Sequence, residues 1–187
     1  MASGADKDRP KFAPGPIDSY PLRQTIDKVT VAAAPFRSNA ETGTAFGKLN
    51  PNHHGILPIL VIIRNDSDKT LALDKLKLEF VSVDRQHIDA TPAADLKYLK
   101  GPNQPNVYGG PIPGMPPRVS RKKSPLSAWE IEGRAFTARM LPPNETASGF
   151  FYFRTFYSSG STLFLRGMLD AASGKEWFYF EISLDQK

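Results

Sequence analysis

The sequence predicts an all-β domain, a two-sheet antiparallel β-sandwich of about seven strands with one or two short helices and a long proline-rich loop. Three observations carry this expectation. Short runs rich in β-branched and aromatic residues recur along the chain, separated by turn formers. One of them, residues 56–63 (ILPILVII), is apolar at nearly every position and therefore needs cover on both faces. The 17 prolines and 14 glycines among 187 residues imply many irregular links, while 12 phenylalanines and six tyrosines favour pleated surfaces between them.

Taken in order, residues 1–22 are polar and proline-rich and read as a flexible tail, leaving residues 23–187 as a single β-sandwich domain. QTIDKVTVAAAPF sets Ile26, Val29 and Val31 among polar residues and closes at Pro35, which suits a first strand on an edge. RSNAETGTAFGKLNPNHHG reads as turns, with at most a short strand at residues 44–46. ILPILVIIRN is expected to be a central strand, and NDSD a turn whose side chains bond their own backbone. In LALDKLKLEFVSVD, Leu76, Leu78 and Phe80 alternate with Lys75, Lys77 and Glu79, as in a strand with one wet face. A shift of apolar parity to Val81 and Val83 suggests a bulge near Phe80.

TPAADLKYLK predicts a short helix capped by Thr91 with Pro92 at its first position. Residues 101–124 form the proline-rich insert, longer than ordinary connections between packed elements. A second short helix is expected near Pro125, where SAWE has capping-box spacing. RAFTARML, ASGFFYFRTF, STLFLRGML and EWFYFEISL then read as successive strands, with PPNET and DAASGK as turns.

Composition narrows function. A net charge of +5 is modest for a nucleic-acid binder, which needs its charge focused on one face, so no specific nucleic acid is expected as partner. The absence of cysteine excludes disulfides, thiolate metal sites and cysteine nucleophiles. No apolar run reaches the roughly 20 residues that a transmembrane helix needs. The opening MASGADKDRPKFAPGP has no apolar core and does not read as a secretory signal.

Candidate sites are few. His53 and His54 are adjacent and His87 lies far along the chain, whereas catalytic zinc takes three convergent ligands, so these histidines read first as structural or solvent-facing. YSSGS at residues 157–161 lacks the G-x-S-x-G order of a nucleophile elbow, and no glycine-rich phosphate loop links a strand to a helix. The chain is therefore read as a non-enzyme with no cofactor. Arg118, Arg121, Lys122 and Lys123 form a basic loop suited to an acidic polymer, or simply to solvent.

The aromatic pattern is more specific. If Phe151 and Phe153 face inward, Phe150 and Tyr152 face the other way; if Phe178, Phe180 and Ile182 face inward, Trp177 and Tyr179 face out. On neighbouring strands, Phe150, Tyr152, Trp177 and Tyr179 would make an outer aromatic face. Such a face would bind a protein partner or, together with the basic loop, make a carbohydrate or anionic-polymer binding domain, unless the insert or the N-terminal tail covers it; a metal-dependent hydrolase built on His53, His54 and His87 is the remaining alternative.

LPILVIIRNDSDKTLALDKLKLEFVSVD, LPPNETASGFFYF and LRGMLDAASGKEWFYFEISL together resemble a pattern found in uncharacterised bacterial Ig-like β-sandwich proteins that are exported as lipoproteins or periplasmic proteins. The resemblance spans roughly residues 24–184 and leaves the insert outside. It implies an Ig-like fold, an extracytoplasmic location and a binding or assembly role with another protein or a cell-envelope polymer. It implies no activity and no catalytic residues. The chain differs from that pattern in having neither a signal peptide nor a lipid-bearing cysteine.

Overall fold

A computed structural model describes residues 12–99, 105–107, 119–121 and 124–185. In chain order the strands are β1 (Arg23–Ile26), β2 (Val29–Pro35), β3 (Leu57–Asn65), β4 (Leu71–Ala72), β5 (Lys77–Val81), β6 (His87–Asp89), β7 (Pro105–Val107), β8 (Val119–Arg121), β9 (Met140–Leu141), β10 (Glu145–Phe153), β11 (Thr162–Arg166), β12 (Leu169–Asp170) and β13 (Phe180–Ser183). Two short helices accompany them, α1 (Asn39–Phe46) and α2 (Trp129–Gly133). The protein is all-β in class. One four-stranded antiparallel sheet has the order β1-β2-β3-β10 and a second the order β13-β11-β5-β6; a smaller one runs β12-β4-β9, and β7 pairs with β8.

The consecutive apolar residues of β3 are explained by a layer on each side. Leu57, Ile59, Val61 and Ile63 point into a core shared with Leu78 and Phe80 of β5, Leu163 and Leu165 of β11, and Phe180 and Ile182 of β13. Leu60 and Ile62 point the other way, into a second core closed by Ala45 and Phe46 of α1, Ile131 of α2, and Leu96 and Leu126 of nearby 3-10 turns. The first sheet is thus covered on both faces, one by the second sheet and one by helical segments. Each fully buried Leu, Ile or Phe contributes about 1.5–3 kcal/mol, so the two cores together hold the layers.

More strands form than the seven expected, and for local reasons. The expected first strand is a hairpin: Asp27 and Lys28 both take positive φ (46° and 64°), as a two-residue type I′ turn requires, so β1 folds back on β2 and β2 becomes internal. RSNAETGTAF is a helix and not turns. Ser38 Oγ accepts from the Glu41 N–H (3.2 Å) while Glu41 Oε2 accepts from the Ser38 N–H (2.8 Å), a complete capping box. No bulge forms at Phe80. The strand ends at Val81, Arg85 turns the chain at φ 60°, and β6 returns beside β5, leaving Val83 exposed.

TPAADLKYLK makes a 3-10 turn, Ala93–Tyr98, in which Thr91 caps nothing; its N–H instead donates to the Tyr152 carbonyl (2.7 Å). The Ser127 hydroxyl donates to the Ser124 carbonyl (2.6 Å), so the expected SAWE box is absent and α2 starts after Ala128. RAFTARML is a strand only at β9; residues 134–136 cross the free edge of β10. The tail expected over residues 1–22 is docked from Phe12 onward, with Ile17 buried in the second core and Tyr20 packed against it. Of the insert at 101–124, only the pairing of β7 with β8 and Ser124 lie within the described residues.

Candidate functional site

The expected outer face of Phe150, Tyr152, Trp177 and Tyr179 does not form. The parity of β10 is as read: Phe151 and Phe153 belong with the inter-sheet core, Phe150 and Tyr152 with the opposite side. That opposite side is interior, however, and Phe150 and Tyr152 are only 2% and 1% exposed. Their rings join Phe12, Phe36 and Phe46, with Phe12 tilted against Phe150 at 5.4 Å and Phe36 edge-on to it at 4.9 Å. The Tyr152 hydroxyl donates to the Ile131 carbonyl (2.7 Å), and burial pushes its phenol well above its ordinary range. Nor are the strands neighbours, since β10 and β13 edge different sheets.

Tyr179 instead lies on the solvent side of the second sheet, while Trp177 lines the same depression with part of its ring packed against the inter-sheet core. Residues 177–179 lead into β13 and depart from alternation, because strand pairing starts only at Phe180. Phe178, expected inside, is 48% exposed; Tyr179 is 65% exposed; Trp177 is half-buried against the inter-sheet core. The Trp177 backbone N–H donates to the Met168 carbonyl (2.6 Å), and Lys69 Nζ stands 5.3 Å from its ring centroid. Its indole Nε1 is buried without an acceptor among the described residues.

Strand register supplies the rest of the site. Phe164 of β11 lies opposite Glu79 of β5, Arg166 opposite Lys77, and Val81 opposite His87 of β6. Every outward residue of these strands is exposed or half-buried. Phe164, Arg166, Glu79, His87, Glu176, Trp177 and Tyr179 line a depression of about 500 Å3. Glu79 organises it. The Arg166 Nη2–H donates to Glu79 Oε1 (2.8 Å) and the His87 Nδ1–H to Glu79 Oε2 (3.0 Å). These bonds, from His87 and then Arg166, hold the Glu79 carboxyl below its usual range. Glu176 Oε1 accepts the Gly167 N–H (3.1 Å), fixing the corner between β11 and β12. Gly167, at φ 82°, is required there because a Cβ would meet the Lys75 carbonyl oxygen.

The arrangement offers hydrogen bonding around an aromatic wall. It does not bring together a nucleophile and a base. The serines of YSSGS serve their own loop: Tyr157, Ser159 and the Gly160 N–H all donate to the Asp185 carboxylate, and Ser158 and Ser161 bond each other at 2.9 Å. His53 and His54 sit in the 3-10 turn Pro51–His54, and no group of three metal-binding side chains occurs among the described residues. Arg118, Lys122 and Lys123 lie outside the described residues, and for Arg121 only the backbone pairing with Pro105 is described. The sequence singles out Trp177 and Tyr179 as surface aromatics and His87 only as a weak metal ligand; Glu79, Phe164, Arg166 and Glu176 carry no signal beyond their polar or outward parity in β5, β11 and the turn before β13.

No helix among the described residues is long and apolar enough to cross a membrane. Compared with protein-family models and with curated proteins, the chain matches none.

Proposed function

We propose that the chain is a non-enzymatic, Ig-like binding or assembly module of the bacterial cell envelope, acting outside the cytoplasm, with the outer face of the β13-β11-β5-β6 sheet as its contact surface. The fold supports this through two four-stranded antiparallel sheets around one core. The observation that carries the reading is the exposed Tyr179, with Phe164 and Trp177, beside the prearranged Glu79, Arg166 and His87. Large exposed aromatics grouped on one face of a domain mark contact surfaces. The bacterial and extracytoplasmic parts rest on the sequence resemblance alone.

A test is available without knowing the partner. Amide-exchange mapping during titration with soluble glycans, polyanions and peptides should concentrate protection on β5, β11 and residues 176–181. The double variant Tyr179→Ala/Arg166→Ala should abolish that protection while shifting stability by no more than about 1 kcal/mol, because both side chains are exposed and surface ion pairs contribute little. Protection centred instead on β10 and residues 134–136, or binding that survives the double variant, would defeat the reading.

A further inference from the structure

We infer that the ligand of this face is a neutral polysaccharide; the inference rests on the binding-module reading and assigns its ligand class. Three kinds of occupant compete for an aromatic surface, and charge and hydrogen bonding separate them. A polyanion needs uncompensated cations to release its counterions. Here Arg166 is already engaged by Glu79, and Glu176 adds a second carboxylate, so two lining carboxylates stand against one guanidinium. The chain's overall +5 is therefore not concentrated at this site.

A protein partner is disfavoured for a different reason. The centre of a protein interface is depleted of charge, since desolvating ions is costly unless each is paired. At this site four of the lining side chains, Glu79, Arg166, His87 and Glu176, are polar or charged, and register sets Glu79 directly beside Phe164. A polyhydroxylated ligand meets both demands. Its C–H faces lie on Tyr179 and Phe164, and its hydroxyls bring donors to the carboxylates and acceptors to Arg166. Arg166 has five N–H donors and spends one on Glu79; the Tyr179 hydroxyl makes no hydrogen bond within the described residues. His87 has its Nε2 left over once Nδ1 is given to Glu79. The depression, about 500 Å3, falls within the range of small-ligand sites.

Affinity electrophoresis in native gels tests this with the full chain. The probes are neutral laminarin, hydroxyethylcellulose, arabinoxylan and galactomannan, with heparin and polygalacturonate as polyanions. At least one neutral polymer should retard the protein. Retardation should change by less than about twofold in 0.5 M NaCl, because no counterions are released. Tyr179→Ala and Arg166→Ala should each weaken it about tenfold or more, with thermal unfolding unchanged. Retardation only by the polyanions, abolished by salt, would overturn the inference. So would the absence of retardation by all four neutral polymers; if amide protection still maps another ligand to Tyr179 and Arg166, the ligand class is wrong and the binding face stands. Retardation by a neutral polymer that persists in both variants would instead place the sugar elsewhere and refute the face itself.

Discussion

Gly149→Ala is expected to destabilise the protein by about 4 kcal/mol, a large share of the 5–15 kcal/mol that holds a typical domain. Gly149 lies mid-strand in β10, opposite Val61 of β3, on the side facing the inter-sheet core. The chain at residues 134–136 crosses the strand there. The Phe150 N–H donates to the Arg134 carbonyl (2.8 Å), and the Phe136 N–H to the Phe150 carbonyl (3.0 Å). A Cβ on residue 149 would stand 2.6 Å from the Phe136 nitrogen, 2.9 Å from the Ala135 carbonyl carbon and closer still to the Phe136 Cα. These are backbone atoms and cannot rotate away. The crossing would have to lift, giving up two hydrogen bonds at about 1 kcal/mol each and the stacking of Phe136 on Phe151, worth about 1 kcal/mol. Loss of apolar burial beneath Phe136 supplies the remainder. Ser148→Ala, one residue away and exposed, should stay within about 0.5 kcal/mol. Equal denaturant midpoints for the two variants would show that the crossing is not packed as described.

Asn65→Ala should cost about 3 kcal/mol, for a reason the sequence states only in part. The side chain is fully buried at the end of β3. Its Nδ2 donates to the carbonyls of Lys69 (2.7 Å), Leu141 (3.0 Å) and Pro142 (3.1 Å), and its Oδ1 accepts from the Ser67 N–H (3.1 Å) and hydroxyl (2.6 Å). Truncation strands several of these groups away from water, and each buried orphan costs about 1–3 kcal/mol, moderated by whatever water enters the cavity. Ser67→Ala removes only a hydroxyl and should cost about 1 kcal/mol. Urea unfolding of both variants checks the ranking; a smaller loss for Asn65→Ala than for Ser67→Ala would contradict it.

The two residues mark how much of the fold could be read in advance. That NDSD turns the chain follows from the habit of Asn side chains to bond the backbone two residues on, as Asn65 does to Ser67. That the same side chain also clamps the distant 141–142 turn depends on tertiary packing and has no local signal. The interior position of β3 was legible because consecutive apolar residues leave it no wet face. What covers its far side was not. Ser38 and Glu41 carried the signature of a helix start, yet Gly43 and the threonines around it favour turns, and the segment becomes helical by seating Ala45 and Phe46 on the sheet. Missing that layer turned Phe150 and Tyr152 into an imagined surface.

The hairpin at Asp27–Lys28 was hidden for a related reason, since neither residue is the glycine or asparagine that normally announces positive φ. The candidate site was half legible. Trp177 and Tyr179 stand out within an aromatic run, and Tyr179 reaches the solvent. Glu79, Phe164 and Arg166 look like ordinary outward residues of alternating strands until register sets them side by side.

Hydroxyl-radical footprinting with residue-level mass spectrometry tests the central claim, that the second sheet's outer face is open and the first sheet's far face is closed. Tyr179 and Phe178 should be oxidised at rates near those of exposed aromatics, while Phe150 and Tyr152 should stay protected until the protein unfolds. Oxidation of Tyr152 at a rate matching Tyr179 in the folded protein would contradict the account.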